Sequence, residues 1–374
     1  MPFESVDQLQ KTLSDTVFSY AADSKKAAGR ALGTLVEIIT YYTLRSWGLR
    51  DQIIIERSVP EFGNPAITHN VEFSMHPLRS RCNLHIQPLR LPITPTKLRS
   101  YVPALNSGSL KSTQLVSASL IKRNSAVLAE YEQGPIVANL DSMNTDSAQI
   151  TICELSSKPF AIFECKRVGV EEGMKKGPQT IEKAKQGAYV AARVSSLQKV
   201  RRKNGELLGL IENSDGTIET GPYLKMLTGV IDATPGLELD DFILSVGVVS
   251  NHGNWFTAET QNKEMRVLAQ SYDWLLFLTD HGLSQFIDKL LLNPSEALLP
   301  ARNAFLASYN GEKGGNRFTK VSMCIAADEA LQQYFVSHEA EVESWFNVIA
   351  PKDGTLELLR GNLHALTQKL TAQE

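Results

Sequence analysis

The sequence is poor in the residues that build zinc sites and disulfides. Its four cysteines, Cys82, Cys153, Cys165 and Cys324, form no CxxC pair, and its seven histidines form no HxH or HExxH pattern. A Cys/His metal site is therefore not expected, and isolated cysteines fit a reduced, intracellular setting. No apolar run approaches the roughly 20 residues that a membrane helix needs; LVEIITYYTL is shorter and is interrupted by Glu37. The opening MPFESVDQLQ is polar and acidic, unlike a secretory signal. The expectation is a soluble, cytoplasmic protein. The glycine-rich GEKGGN at 311–316 lacks the GxxxxGK[ST] spacing of a phosphate-cradling loop.

Acid is missing from one long stretch. Between Phe73 and Ala129 there is no Asp or Glu, while Arg79, Arg81, Arg90, Lys97, Arg99, Lys111, Lys122 and Arg123 all fall there. A second basic run holds Arg167, Lys175, Lys176, Lys183, Lys185, Arg193, Lys199 and Arg201 to Lys203. The net charge of −3 hides this segregation, which suits a surface that faces phosphates. With 374 residues, 43% hydrophobic and 21% charged, the chain is ordinary globular material, long enough for two domains or for one with large insertions.

Apolar residues at Ala28, Leu32, Leu35, Ile39 and Tyr42 recur at helical spacing, which predicts a helix over 26–48 with Glu37 on its polar stripe. DQIIIERSV and AITHNVEFSM are rich in β-branched residues and read as strands. Five prolines between Pro77 and Pro103 predict a loop-rich insertion, and 112–133 reads as helix. QITICEL (149–155) and FAIFECKR (160–167) flank Ser-Ser-Lys-Pro and read as a β-hairpin. A helix is expected from Gly177-Pro178 onward, since proline suits a first helical turn. GELLGLIENSDGTIET looks like a polar hairpin or loop, FILSVGVVS like a strand buried on both faces, and the chain beyond Asn262 like a set of helices. The expected class is α/β: a mixed sheet core flanked by helices within residues 1–260, a basic insertion at about 75–130, and a helical region over 261–374.

Side chains alternate across a strand, so Glu164 and Lys166 share a face while Phe163 and Cys165 point to the other. The bland reading is an exposed cross-strand pair, worth under about 1 kcal/mol. The sharp one is a site where a carboxylate holds Mg²⁺ and an ammonium orients water or balances phosphate charge. A second acid is needed to complete such a site. Asp146 starts the strand before the turn and is the first choice, with Asp141 as its rival. In the simplest register, however, Gln149 faces Lys166, and Asp146 falls on the wrong parity unless the strand is bulged.

The set Asp146, Glu164, Cys165 and Lys166 resembles the motif of the PD-(D/E)xK nuclease superfamily, the fold of most type II restriction endonucleases, although Thr145 stands where the family often has proline. The resemblance covers about residues 26–250. It implies a restriction-endonuclease-like mixed sheet and Mg²⁺-dependent, sequence-specific hydrolysis of double-stranded DNA that leaves 5′-phosphates. Asp146, Glu164 and the Cys165 backbone carbonyl would hold metal, Lys166 would position water, and Glu37 would help organise the centre from the first helix. Lys175, Lys176, Lys183, Gln186, Arg79 and Arg81 are candidates for DNA contact, and a homodimer is expected on a palindromic site. The alternatives are another nuclease of the superfamily, in repair, recombination or phage defence, and a DNA-binding relative that does not cut.

Overall fold

A computed structural model describes residues 6–106, 109–169, 184–213, 215–234, 239, 241–252, 263–309 and 317–369. Its centre is a six-stranded mixed sheet, in the order Ile53–Glu61, Asn64–Met75, Ala161–Gly169, Leu244–His252, Trp274–Leu278 and Phe346–Ala350. The first three strands run antiparallel, the next two continue parallel to Ala161–Gly169, and the last is antiparallel again. The chain is thus mixed α/β, as expected.

The long helix Ser24–Ser46, N-capped by Asp23, covers one face of this sheet. Its Leu32, Leu35 and Ile39 join Ile55, Phe73, Phe163 and Cys165 in one buried cluster, and the Tyr41 ring stacks on Phe73. The opposite face carries the helix Gln186–Val194, whose Val190 and Val194 pack on Ile162. The strand carrying Glu164 is therefore buried on both faces. The GELLGLIENSDGTIET hairpin is present as Leu207–Glu212 paired with Ile218–Pro222, joined by Gln198–Arg201 in a small sheet. The helix start expected at Gly177 lies outside the described residues.

Two expectations are overturned. Ala148–Leu155 and Ala161–Gly169 are both strands, but they do not form a hairpin. The first belongs to a separate five-stranded sheet, between Leu78–Ile86 and Pro135–Met143, and the second pairs with Asn64–Met75 and Leu244–His252. A short linker crosses between the sheets, with the Ser156 N–H donating to Pro77 O at 3.0 Å and the Phe160 N–H to Met75 O at 2.8 Å. Likewise 112–133 is not a helix but contains the strands Val116–Ser117, Leu120–Ile121 and Ala126–Glu130. Leu115, Val116, Ile121, Ala126 and Leu128 fill a second core with Ile136, Ile150 and Ile152, and burial there outweighs the local helical pattern. The insertion between Met75 and Ala161 is thus a folded sheet with its own core, longer and more regular than a loop-rich segment at 75–130.

The C-terminal third holds helices, among them Ile325–Ser337 and Leu356–Lys369, but it also supplies the last two strands of the central sheet. It is therefore not a purely helical appendage beyond residue 260. The WLLFL strand is buried along its whole length. Arg45, at the end of the long helix, forms a buried fork with Asp328 at 2.6 and 3.3 Å, and Tyr42 donates to the same carboxylate at 2.6 Å.

His76 sits where the chain leaves the central sheet for the insertion. It is fully buried; its Nδ1–H donates to Ser156 O at 2.9 Å, and its Nε2 accepts from the Ser74 hydroxyl at 2.8 Å. Burial, reinforced by the charge of Arg57, pushes its pKa down to about 3. An unfolded histidine titrates near 6.5, so between pH 6.5 and 3 the unfolded chain binds the extra proton and stability falls as pH falls. Urea denaturation of the wild type should show an acid-side slope of up to about 1.4 kcal/mol per pH unit in that window. His76→Gln should flatten the slope; an unchanged slope would show that His76 is not its source.

Candidate active site

The ladder between Ala161–Gly169 and Asn64–Met75 pairs Ala161 with Met75, Ile162 with Ser74 and Phe163 with Phe73, and goes no further. The next step in register would set Glu164 against Glu72. The Glu164 carboxylate thus reaches the Glu72 backbone where the strands part. The Glu72 N–H donates to Glu164 Oε2 at 3.4 Å, and Lys166 Nζ lies 2.5 Å from Glu164 Oε1. Glu164 and Lys166 are together, as the strand parity predicted.

Alternation breaks beside them. Ile55 and Phe73 bury toward the long helix, whereas Val59 and Val71 bury in the cluster on the opposite face. The ladder between those strands omits the Glu56–Glu72 pair, and Glu56 has φ of +52°, the left-handed region that non-glycine residues seldom occupy. This face switch lets Glu72 approach Glu37, which extends from the long helix. Between them stands Lys320. Its Nζ lies 2.7 Å from Glu37 Oε2 and 3.5 Å from Glu56 Oε1, and it makes a direct ion pair with Glu72. Neither Glu72 nor Lys320 was singled out from the sequence.

Four carboxylates, Glu37, Glu56, Glu72 and Glu164, thus face two ammoniums. Burial pushes the Glu72 pKa up to about 7, the negative charges of Glu37 and Glu164 push the same way, and Lys320 opposes them. The lysines answer this surplus. Burial alone would depress both, but Glu164 holds Lys166 above its ordinary value, and Glu72 with Glu37 does the same for Lys320. Cys165 points away into the core, where burial raises its thiol pKa and its Sγ–H donates to Thr40 Oγ1 at 3.4 Å.

No family model, no curated protein and no solved structure matches the chain. The geometry therefore carries the functional argument.

Asp146 is not brought to this centre. It lies in the exposed turn between Pro135–Met143 and Ala148–Leu155, in the second sheet, where Asn144 Oδ1 accepts from its N–H at 2.9 Å. Asp141 is engaged elsewhere too, with Arg50 at 2.5 Å and the Thr151 hydroxyl at 2.8 Å. Among the DNA-contact candidates, Arg79 and Arg81 are exposed on Leu78–Ile86, with Arg81 Nε 3.2 Å from Asp51. Gln186 lines a groove of about 700 Å³ together with Lys185, Tyr189, Lys199 and Arg201. Lys175, Lys176 and Lys183 lie outside the described residues.

An oxygen-donor set of this kind suits Mg²⁺. Among the described residues, no group of three or more acidic, histidine or cysteine side chains is already arranged around an ion-sized space. The lysine standing between Glu37 and Glu72 accounts for that spacing. The donor chemistry and the charge surplus are of the kind a divalent cation favours; the space between Glu37 and Glu72 holds the Lys320 ammonium.

The site is packed tightly from behind. A Cβ on Gly187 would lie 2.4 Å from the Glu164 Cβ and 2.9 Å from the Tyr272 hydroxyl. Tyr272 in turn donates to Ala184 O at 2.9 Å and fills the space left by Gly247, the partner of Glu164 in the parallel ladder. Alanine normally suits a helix better than glycine, and Gly361, with nothing within 4 Å of its Cβ position, provides the comparison. Gly361→Ala should stabilise by up to about 1 kcal/mol. Gly187→Ala should destabilise by about 1–3 kcal/mol through overpacking against Glu164. Urea midpoints of the two variants check this, and equal gains at both positions would refute the close approach.

Proposed function

We propose that the chain is a Mg²⁺-dependent endonuclease of the PD-(D/E)xK superfamily, acting in the cytoplasm on double-stranded DNA as a type II restriction endonuclease, with Glu72 in place of Asp146 as the first acid. The observation that carries this reading is the meeting of Glu72 and Glu164 where their strands part, with Lys166 at 2.5 Å from Glu164 and Glu37 approaching from the first helix. The mixed α/β sheet with a helix on each face, Ser24–Ser46 and Gln186–Val194, is compatible with it.

Glu72 and Glu164 would hold the metal, with Glu37 beyond them. A bound divalent ion supplies Lewis acidity and a water deprotonated at neutral pH. Lys166 is held by Glu164 on the same strand face, where its ammonium can orient the attacking water or balance charge on a phosphate oxygen. The buried setting strengthens that interaction by excluding water. The acid-free stretch between Phe73 and Ala129, with Arg79 and Arg81, and the groove at Gln186 offer cationic surface to the DNA backbone. A homodimer would match the two-fold symmetry of a palindromic site.

One observation favours a second reading, a DNA-binding relative that does not cut: the ammonium of Lys320 already fills the acidic centre. Incubation with unmethylated phage DNA and Mg²⁺ separates the possibilities. Restriction gives discrete bands, a superfamily nuclease without a short recognition sequence gives a smear, and a binding-only relative gives intact DNA. If the chain cuts, Glu72→Gln, Glu164→Gln and Lys166→Ala should each lower the rate by at least about 100-fold, the scale of losing one transition-state contact. Asp146→Asn should stay within about twofold of wild type. A large loss at Asp146 with none at Glu72 would return the first acid to the position read from the sequence.

A further inference from the structure

We propose that Lys320 is an internal cation that holds the acidic centre closed, and that Glu72 becomes free to take up a divalent ion only when the segment around Lys320 withdraws. This rests on reading the centre as a metal site.

The first support is position. Lys320 comes from outside the strands that carry the acids, yet it is buried, with its ammonium in contact with Glu72, at 2.7 Å from Glu37 and at 3.5 Å from Glu56. Three carboxylate oxygens converging on one cation form the first half of a coordination shell for a hard metal. A lysine there neutralises one charge, while a divalent ion would neutralise two. The two ammoniums leave the four carboxylates with a formal surplus of two negative charges. Exchanging Lys320 for a divalent ion therefore moves the centre toward neutrality, while the released ammonium regains its hydration.

The second support is the way the segment is held. Thr319 forms a tight turn with Ser322, whose N–H donates to the Thr319 hydroxyl at 3.0 Å. Asn124 of the insertion grips both sides of the lysine, its side-chain amide donating to Lys320 O at 3.1 Å and its N–H to Val321 O at 2.7 Å. Met323–Cys324 then pairs with Leu120–Ile121. The backbone of Lys320 is thus tied to the insertion through Asn124 and to the main core through its neighbours Phe318 and Met323, while its side chain reaches the acidic centre. Arg123, next to Asn124, also reaches across, donating to Ile55 O at 2.8 Å beside the strained Glu56. A shift of Asn124 relative to the acids would pull on the lysine's backbone. Asn124 lies in the acid-free stretch between Phe73 and Ala129, so DNA docking on that stretch and opening of the centre would be linked through it.

The third support is that the arrangement is not a fold-stabilising pair of the usual kind. The Arg45–Asp328 fork elsewhere in the molecule joins one cation to one carboxylate in a balanced buried pair. Lys320 instead joins a cluster whose acids outnumber its cations.

The test uses the full-length chain without DNA and Mn²⁺ as the probe, with free Mn²⁺ read by electron paramagnetic resonance. Lys320→Met keeps the bulk of the side chain and removes the charge. It should bind Mn²⁺ at least tenfold more tightly than the wild type, and Glu72→Gln added to it should abolish the gain. In the wild type, saturating Mn²⁺ should speed hydrogen exchange in peptides covering residues 318–324 by several-fold, because the lysine leaves its acids. Should Lys320→Met fold poorly, the wild-type exchange experiment decides alone. Equal Mn²⁺ affinity in wild type and Lys320→Met, still lost in Glu72→Gln, overturns the closing role of Lys320 and leaves the metal-site reading standing. Mn²⁺ binding to neither protein overturns both. Unchanged exchange at 318–324 under saturating Mn²⁺ overturns the withdrawal.

Discussion

Two carboxylates brought together in a poorly hydrated place must be neutralised, and much of the architecture around Glu72 and Glu164 answers that demand. In a medium of low effective dielectric, like charges at contact distance repel by several kcal/mol. The strands cannot continue their ladder past Phe163 and Phe73 without pressing the acids against each other, and they part there. Lys166 returns to Glu164 from two residues further along the same strand, and Lys320 reaches Glu72 from far along the chain. Burial on both faces of the strand keeps water from doing the same work. A strand covered by Val190 and Val194 on one side and by Leu35 and Ile39 on the other leaves Glu164 little hydration, so its carboxylate must be paired.

The same constraint explains why three neighbours of the acids have unusual local structure. Gly187 and Gly247 are small because Glu164 and Tyr272 lie where their Cβ atoms would be. Glu56 takes the left-handed conformation beside Glu72, a strain on the order of 1 kcal/mol or more that the surrounding contacts must offset. The strained Glu56 and the two close-packed glycines thus gather around the acids.

Local pattern was legible in the sequence, and long-range partnership was not. The helix from Ser24, the strands at 53–61 and 64–75, and the shared face of Glu164 and Lys166 all follow from periodicity within a short window. The pairing of Ala148–Leu155 does not. Two strands joined by a turn-like Ser-Ser-Lys-Pro look like a hairpin, and nothing in those residues reports that Phe160 bonds back to Met75 while Ser156 bonds to Pro77. A hairpin there makes Asp146 the first choice of upstream acid, with Asp141 its rival. The signal for Glu72 was present in a weaker form. In AITHNVEFSM the apolar Val71, Phe73 and Met75 alternate with Asn70, Glu72 and Ser74, which puts a lone acid in the middle of a strand otherwise built for burial. Lys320 had no such signal, because its meaning depends on what the insertion holds it against. The helix misread at 112–133 belongs with these cases, since its apolar residues serve a second core that is visible only once the insertion is folded.

The parity conflict at Asp146 was itself informative. Asp146 lies in another sheet altogether, whereas Glu72 adjoins the Ala161–Met75, Ile162–Ser74 and Phe163–Phe73 ladder and reaches the centre through the local break in alternation at Glu56 and Glu72. That register is set in the central sheet, next to the point where the insertion departs at Met75 and returns at Phe160. The insertion can therefore vary in size and surface while Glu72 and Glu164 stay aligned, because the ladder pairs beside them do not pass through it. The contact that does pass through it is Lys320, held at its backbone by Asn124 and at its tip by the acids. The acids are thus set by the central sheet, while their internal cation is tied to the insertion as well as to the main core, so the centre joins the two bodies.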